Sequence, residues 1–157
     1  MAHTCACNLL HCVFSTKDRA NLIRDRERLW QYIGGIARAK NIPLLGIGGT
    51  TNHVHALIAL PPVLPLAKVI QDLKGNSSKW LGETGQRFAW QRGYGAFSVS
   101  ESGREAVLAY IARQEEHHRK WSFEDEFLSL LRRYRVSFDP QTVFGRVLSS
   151  AEADPQS

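Results

Sequence analysis

The sequence predicts an α+β fold, a ferredoxin-like (RRM-like) βαββαβ sandwich with additional C-terminal helices. Three observations predict it. Short β-compatible runs at 5–14, 42–47, 52–60 and 88–99 are separated by two segments of helical periodicity, at 24–40 and 65–81, in the order strand, helix, strand, strand, helix, strand. A Gly-rich turn, Gly48-Gly49-Thr50-Thr51, joins the two middle strands and leaves no room for a helix between them. Past residue 99 helical spacing returns twice, which adds helices beyond the core.

Each element has a local reason. The first run, Cys-Ala-Cys-Asn-Leu-Leu-His-Cys-Val-Phe, stops at the polar Ser15-Thr16-Lys17-Asp18. The first helix carries Leu29, Ile33, Ile36 and Ala37 on one stripe beside Trp30, with Gly34-Gly35 as its weak point. The second strand is bounded by Asn41 and Gly48, and the third runs into Pro61-Pro62. Leu66, Val69, Ile70, Leu73 and Trp80 form the stripe of the second helix, which Gly75-Asn76-Ser77-Ser78 is expected to interrupt. In the fourth strand Gly93 and Gly95 predict a bend. Ser102 and Glu105 have capping-box spacing, so a further helix is expected from there to about His118. Phe123, Phe127, Leu130, Leu131 and Tyr134 predict another within 121–134. Residues 1–145 are read as one domain, and the polar stretch 146–157 as a disordered tail.

At 157 residues, with 43% hydrophobic and 22% charged, the chain has the composition of a soluble globular domain large enough to bury a core. No apolar run approaches a membrane span, and the N-terminus lacks a charged region followed by an apolar one. A cytoplasmic location without a membrane partner is therefore expected. The net charge of +5 and pI of 9.4 permit a nucleic-acid partner without demanding one. Basic residues gather at Arg24/Arg26/Arg28, Lys68/Lys74/Lys79 and Arg132/Arg133/Arg135, patterns that also suit solvated helix faces. Cys5, Cys7 and Cys12 alternate along the first run and are expected to be small buried hydrophobes in a reducing compartment. A zinc site with His3 or His11 is disfavoured by the lack of any Cys-x-x-Cys pair.

The third strand, Asn52-His53-Val54-His55-Ala56-Leu57-Ile58-Ala59-Leu60, carries the chemistry. Successive strand residues face opposite sides, so His53 and His55 share one face while Val54 and Ala56 take the other. Two neutral imidazoles held this way can share one metal ion, with a further ligand coming from elsewhere. The pair also fits two hydrogen-bonded core histidines, although burying imidazoles without partners is costly. Tyr110 and Gln114 stand four apart, on one helical face. If their helix docks across the His strand, the Gln114 amide oxygen becomes a candidate ligand and Tyr110 a candidate nucleophile. A phenol with a pKa of about 10 needs a polarised target such as a metal-bound phosphodiester. The same spacing suits a packed face with Val107 and Ile111, and Tyr32, Tyr94 and Tyr134 compete for the nucleophilic role. No general base is evident in the sequence.

Five stretches taken together are more specific: Val13-Phe14-Ser15-Thr16-Lys17, Asn52-His53-Val54-His55, 73–80, Trp90-Gln91-Arg92-Gly93-Tyr94 and Tyr110-Ile111-Ala112-Arg113-Gln114. In this order, over about residues 5–145, the chain resembles the single-tyrosine HUH transposases, the insertion-sequence transposases and REP-associated tyrosine transposases. The resemblance implies that Tyr110 attacks a phosphodiester in single-stranded DNA, leaving a 5′-phosphotyrosine link and a free 3′-hydroxyl. It implies a divalent metal, Mg²⁺ or Mn²⁺, on His53, His55 and Gln114, a homodimer, and hairpin or palindromic DNA as substrate. By analogy Lys74, Lys79, Arg87 and Arg92 contact phosphates, and Trp80, Trp90 and Tyr94 are candidates for base stacking. The chain departs from the pattern in two respects: Asn52 replaces the acidic residue often found before the first His, and Cys5 and Cys7 stand where aromatics are commoner. Within the same chemistry a rolling-circle initiator or relaxase is an alternative, although those are usually larger. A domesticated hairpin-binding module and a metal-dependent hydrolase are the alternatives outside it.

Overall fold

The computed structural model describes residues 2–145; the stretch 146–157, expected to be a tail, lies outside them. The chain folds as β1 (Leu9–Ser15), α1 (Arg26–Ala39), β2 (Leu44–Gly49), β3 (His53–Ala59), α2 (Leu66–Glu83), β4 (Gly95–Val99), α3 (Arg104–Ala112), α4 (Gln114–His117) and α5 (Phe123–Arg133). The four strands form one sheet in the order β2-β3-β1-β4, with every neighbouring pair antiparallel. β1 and β3 are thus central, as the βαββαβ plan requires.

Strand alternation divides the molecule into two faces. Leu10, Cys12 and Phe14 of β1 and Val54 and Ile58 of β3 point to one side, where they pack with Leu29, Ile33 and Ala37 of α1 and Val69, Ile70 and Leu73 of α2. Each fully buried aliphatic side chain here contributes about 1.5–3 kcal/mol. The residues between them face the other way. There Leu9 and Leu57 pack on Ile111 of α3, and Val13 packs with Phe97 of β4 and with Phe123 and Leu131 of α5. The appended helices therefore cover the face that a bare four-stranded sandwich would leave to solvent. His11, His53 and His55 lie between those two apolar patches, all buried.

Several local expectations are corrected. β1 begins at Leu9, not residue 5, because its partners end opposite it at Ala59 and Val99; Cys5 and Cys7 have no ladder partner and are exposed, and only Cys12 is buried. β4 is shorter than expected: Gly93, at φ +84°, turns the chain, and only a single bridge, Thr16 to Trp90, continues the pairing beyond it. α2 is continuous through Gly75-Asn76-Ser77-Ser78. Its polar side chains bond back to the preceding turn, Ser77 Oγ to the Leu73 carbonyl at 2.6 Å and Asn76 Nδ2 to the Asp72 carbonyl at 2.8 Å, so they do not compete with the helix. α1 likewise runs unbroken through Gly34-Gly35.

The capping box is shifted. Ser100, not Ser102, accepts an amide, that of Gly103, and a 3₁₀ turn at Glu101–Gly103 leads into α3. The helix also ends earlier than expected. It stops at Ala112; Arg113 adopts φ −102° and ψ 20°, and Gln114 opens the separate short α4. This break reorients the chain after Tyr110. At β2 the backbone of α3 comes so close that a Cβ on Gly48 would lie 2.4 Å from the Ile111 carbonyl oxygen. Only a residue without a side chain permits that approach.

Candidate metal and tyrosine site

β3 supplies His53 and His55, α3 supplies Tyr110, α4 opens with Gln114 and is followed directly by His118, and α5 supplies Glu126. One donor atom from each of His53, His55, His118 and Glu126 lies within 4.8 Å of the other three. The Gln114 Oε1 is 3.0 Å from the Nε2 of both His53 and His118, inside the same group. Two of the three ligands implied by the resemblance are in the cluster, and the third borders it. His118 and Glu126 come in addition, from outside the set read in the sequence.

Each imidazole is oriented by a second partner on its far nitrogen. His53 Nδ1 faces Asn52 Oδ1 at 2.8 Å and Thr50 Oγ1 at 3.0 Å, so Asn52 performs from a neutral side chain the orienting role an acidic residue would have there. His118 donates from Nδ1 to the Trp121 carbonyl at 2.7 Å. His55 Nδ1 meets the Nε2 of His11 at 2.7 Å, and its own Nε2 faces Glu126 Oε1 at 2.7 Å. All three thereby turn Nε2 inward.

Glu126 is 4% exposed, and among the described residues no Lys or Arg pairs with it. Its Oε1 receives His55 and, at 3.1 Å, His118. Its Oε2 accepts from the Tyr110 hydroxyl and, at 3.2 Å, from Gln114 Nε2. Burial disfavours its charge, but the hydrogen bonds from His118, His55 and Tyr110 outweigh that and hold the carboxyl well below its ordinary range. His118 shows the converse: burial lowers its pKa, and the Glu126 carboxylate more than restores it. Burial pushes His11 and His53 down to about 3, helped in each by the neighbouring His55, so both stay neutral and able to ligate. Burial, then the adjacent Glu126 carboxylate, raises the Tyr110 phenol above its usual value. At rest the proton stays on the tyrosine.

The donor set fits a divalent cation. Three imidazoles and one carboxylate are ligands for a first-row divalent ion, and a buried carboxylate faced only by imidazole, amide and phenol groups is chemically suited to a cation beside it. The sequence offered one signal for Glu126 that periodicity alone passed over: it lies three after Phe123 and four before Leu130, a carboxylate inside an otherwise apolar stripe. The adjacent His117-His118 pair just before that helix was the signal for His118.

The basic candidates are spread out. Lys74 donates to the carbonyls of Gln91 at 2.7 Å and Gly93 at 2.9 Å, clamping the turn before β4. Lys79 is exposed on α2, and Arg87 is exposed in the segment after it. Arg92 lines an apolar cavity of about 780 Å³ beside Phe123 and Phe127. Trp80 stacks on Tyr32, with centroids 4.1 Å apart and planes at 6°, Trp90 packs edge-on against Phe14 and Phe88, and Tyr94 is exposed.

The family model "Transposase IS200 like" matches residues 6–114, a span that holds His53, His55, Tyr110 and Gln114 and ends before His118 and Glu126. The transposases for insertion sequence element IS200 of Salmonella typhimurium and Salmonella typhi are each 29% identical over 126 residues, covering 73% of this chain and 81% of theirs. Two solved structures share the fold. A crystal structure of a candidate transposase from Deinococcus radiodurans r1 has a TM-score of 0.57 at 21% identity, covering 73% of this chain and 96% of that one. A REP-associated tyrosine transposase bound to a REP hairpin has a TM-score of 0.58 at 13% identity, covering 78% and 76%. With the family match spanning well over half of its length, the chain belongs to the IS200-like transposases.

Proposed function

We propose that the protein is a metal-dependent transposase that cleaves and rejoins single-stranded DNA through a 5′-phosphotyrosine link, with Tyr110 as nucleophile. One observation carries the reading: the Tyr110 hydroxyl lies on the wall of the His53/His55/His118/Glu126 group, hydrogen-bonded to Glu126 Oε2. The Tyr110 oxygen attacks phosphorus and the bond to the 3′-oxygen breaks. The phenolic proton passes to Glu126 Oε2, and the departing oxygen becomes a free 3′-hydroxyl after taking up a proton. In the reverse sense a 3′-hydroxyl attacks the phosphotyrosine and Tyr110 is released, so rejoining needs no nucleotide triphosphate.

The ligands of the divalent metal, Mg²⁺ or Mn²⁺, would be His53, His55 and Gln114, extended by His118 and Glu126 Oε1. When bound, the ion polarises the phosphodiester and favours the phenolate. The two Glu126 oxygens divide the work, Oε1 facing the imidazoles and Oε2 the tyrosine. The solved relative bound to a REP hairpin supports a hairpin as the substrate. A homodimer completes the reading, and a cytoplasmic location accords with the absence, among the described residues, of a helix long and apolar enough to cross a membrane.

The test uses labelled hairpin oligonucleotides from the gene's own flanks with Mg²⁺ or Mn²⁺. A covalent protein–DNA band on a denaturing gel, lost in Tyr110→Phe and with chelator, is the expected result. Specific hairpin binding without that band on correct flanks would replace the reading with a binding module.

A further inference from the structure

Two hollows meet at Tyr110. The first, of about 510 Å³, has Tyr110 and Glu126 in its floor and Trp121, Leu130, Arg133 and Tyr134 on its walls. The second, of about 840 Å³, is lined by Ala106, Tyr110, Arg113, His117, Lys120 and Trp121. Ala106, Tyr110, His117 and Trp121 belong to both and form the ridge between them. A strand whose reacting phosphate rests at Tyr110 therefore has one hollow on each side of that phosphate.

The hollows differ in chemistry. The second is basic: Arg113 and Lys120 face Glu116 alone, and among the described residues neither cation makes an ion pair. In the first, Arg133 is balanced by Asp125 and Glu126, and its rim is aromatic. Trp121 is 54% exposed, and its indole lies parallel to the His117 ring, at 9° with centroids 6.4 Å apart. Its backbone is tied to the site, since its carbonyl accepts from His118 Nδ1 at 2.7 Å. Tyr134 is 40% exposed, with its ring against Phe97 at 4.9 Å. An indole anchored through its backbone beside the candidate site and more than half exposed is a surface for stacking, because every nucleobase presents a π-face to it. The volume of the first hollow falls within the range of roughly 300–1,000 Å³ typical of pockets for small organic groups.

We infer that the first hollow is a nucleobase subsite, in which the unpaired base next to the scissile phosphate stacks on Trp121, while the backbone on the other side of Tyr110 runs past Arg113 and Lys120. The inference rests on the tyrosine-transferase reading of the same site. It gives the chain a means of gripping the nucleotides that flank the cleaved bond, separate from its grip on the hairpin. It also places a DNA contact in residues beyond the family match, which ends at Gln114.

The experiment uses the full chain carrying Tyr110→Phe, with hairpin oligonucleotides bearing 5-iodouracil at successive positions around the scissile bond. Photo-crosslinks are mapped by mass spectrometry, and affinities are read by fluorescence anisotropy. The expected result is a crosslink to Trp121 from one position adjacent to the scissile phosphate. Trp121→Ala should bind about 10-fold more weakly and Trp121→Tyr nearly as well as the parent. Arg113→Gln and Lys120→Gln should each reduce the slope of log affinity against log salt by about 0.7. Crosslinks scattered over many positions, equal affinity in Trp121→Ala, or a change of oligomeric state in that variant without change in DNA affinity would each overturn the inference, the last by showing that a second copy covers the indole. Because Trp121 lies outside the core, melting temperatures close to the parent's are expected for its variants. A covalent adduct on the Tyr110 chain together with an indifferent Trp121 would remove the subsite and leave the transferase standing. Absence of any DNA binding would remove both.

Discussion

Glu126 is the residue on which the candidate site turns, since its two oxygens join His55, Tyr110 and Gln114 and come within 3.6 Å of His53. Glu126→Gln keeps the shape and removes the charge. In that variant the His118 pKa, raised in the parent by the carboxylate, should fall, which NMR titration of the imidazoles in metal-free protein would detect. The rate of adduct formation should drop by about 10²–10⁴, the usual contribution of a positioned base. An unchanged rate would leave Tyr110 without need of Glu126. His53 and His55 were legible because alternation along a strand puts them on one face, whereas Tyr110 and Gln114, expected on one helical face, are brought together across the break at Arg113. Glu126, His118 and His11 were not, because they reach the site from separate elements at sequence distances of 71, 8 and 44 from their partners, which periodicity cannot register.

At the scale of elements, the approach of α3 to β2 decides whether Tyr110 reaches the histidines. Gly48 and Gly46 make a natural comparison. A Cβ at Gly48 would meet the Ile111 backbone at 2.4 Å, whereas one at Gly46 would meet the flexible end of Leu108 at 2.6 Å. Gly48→Ala should therefore lose about 1–3 kcal/mol in chemical denaturation and most of its adduct formation, as the helix is lifted from the sheet. Gly46→Ala should be milder in both, and equal effects would show that the close backbone approach does not position Tyr110. The six core elements were readable in order because each carries its own period of apolar residues. Their ends were less so: β1 is trimmed by the length of its partners, and the kink at Arg113, after which Gln114 is buried, falls where the sequence has no Gly or Pro to announce it.

For the molecule as a whole, the buried imidazoles couple stability to pH. In metal-free protein His11 and His53 titrate at about 3 when folded and at 6.5 when unfolded, so between those values the unfolded chain binds protons that the folded chain refuses. Stability from these groups is complete above pH 6.5 and is lost as pH falls toward 3. Glu126, depressed when folded, adds a loss of the same sign, starting only below about 4.5. His118 opposes them, its contribution being present at low pH and lost as pH rises through its raised folded value. In chelator, denaturation midpoints should fall between pH 7 and pH 5, with a slope of about 1.4 kcal/mol per pH unit for each net proton. His11→Phe should flatten the profile. A level profile in the parent would mean that the imidazoles are hydrated and not buried.

The sequence by itself determined the strand and helix order, the sharing of one face by His53 and His55, and the presence of a tyrosine four residues before a glutamine, because each of these is set by local backbone geometry and apolar period. Only the tertiary structure decided that the appended helices cover the histidine face, that a carboxylate from α5 stands between the tyrosine and the imidazoles, and that Trp121 is left bare beside them. The physical reason is that these depend on how separate elements dock. Docking is governed by contacts such as Gly48 on Ile111 and Val13 on Phe123, between residues far apart in the chain and without a shared period.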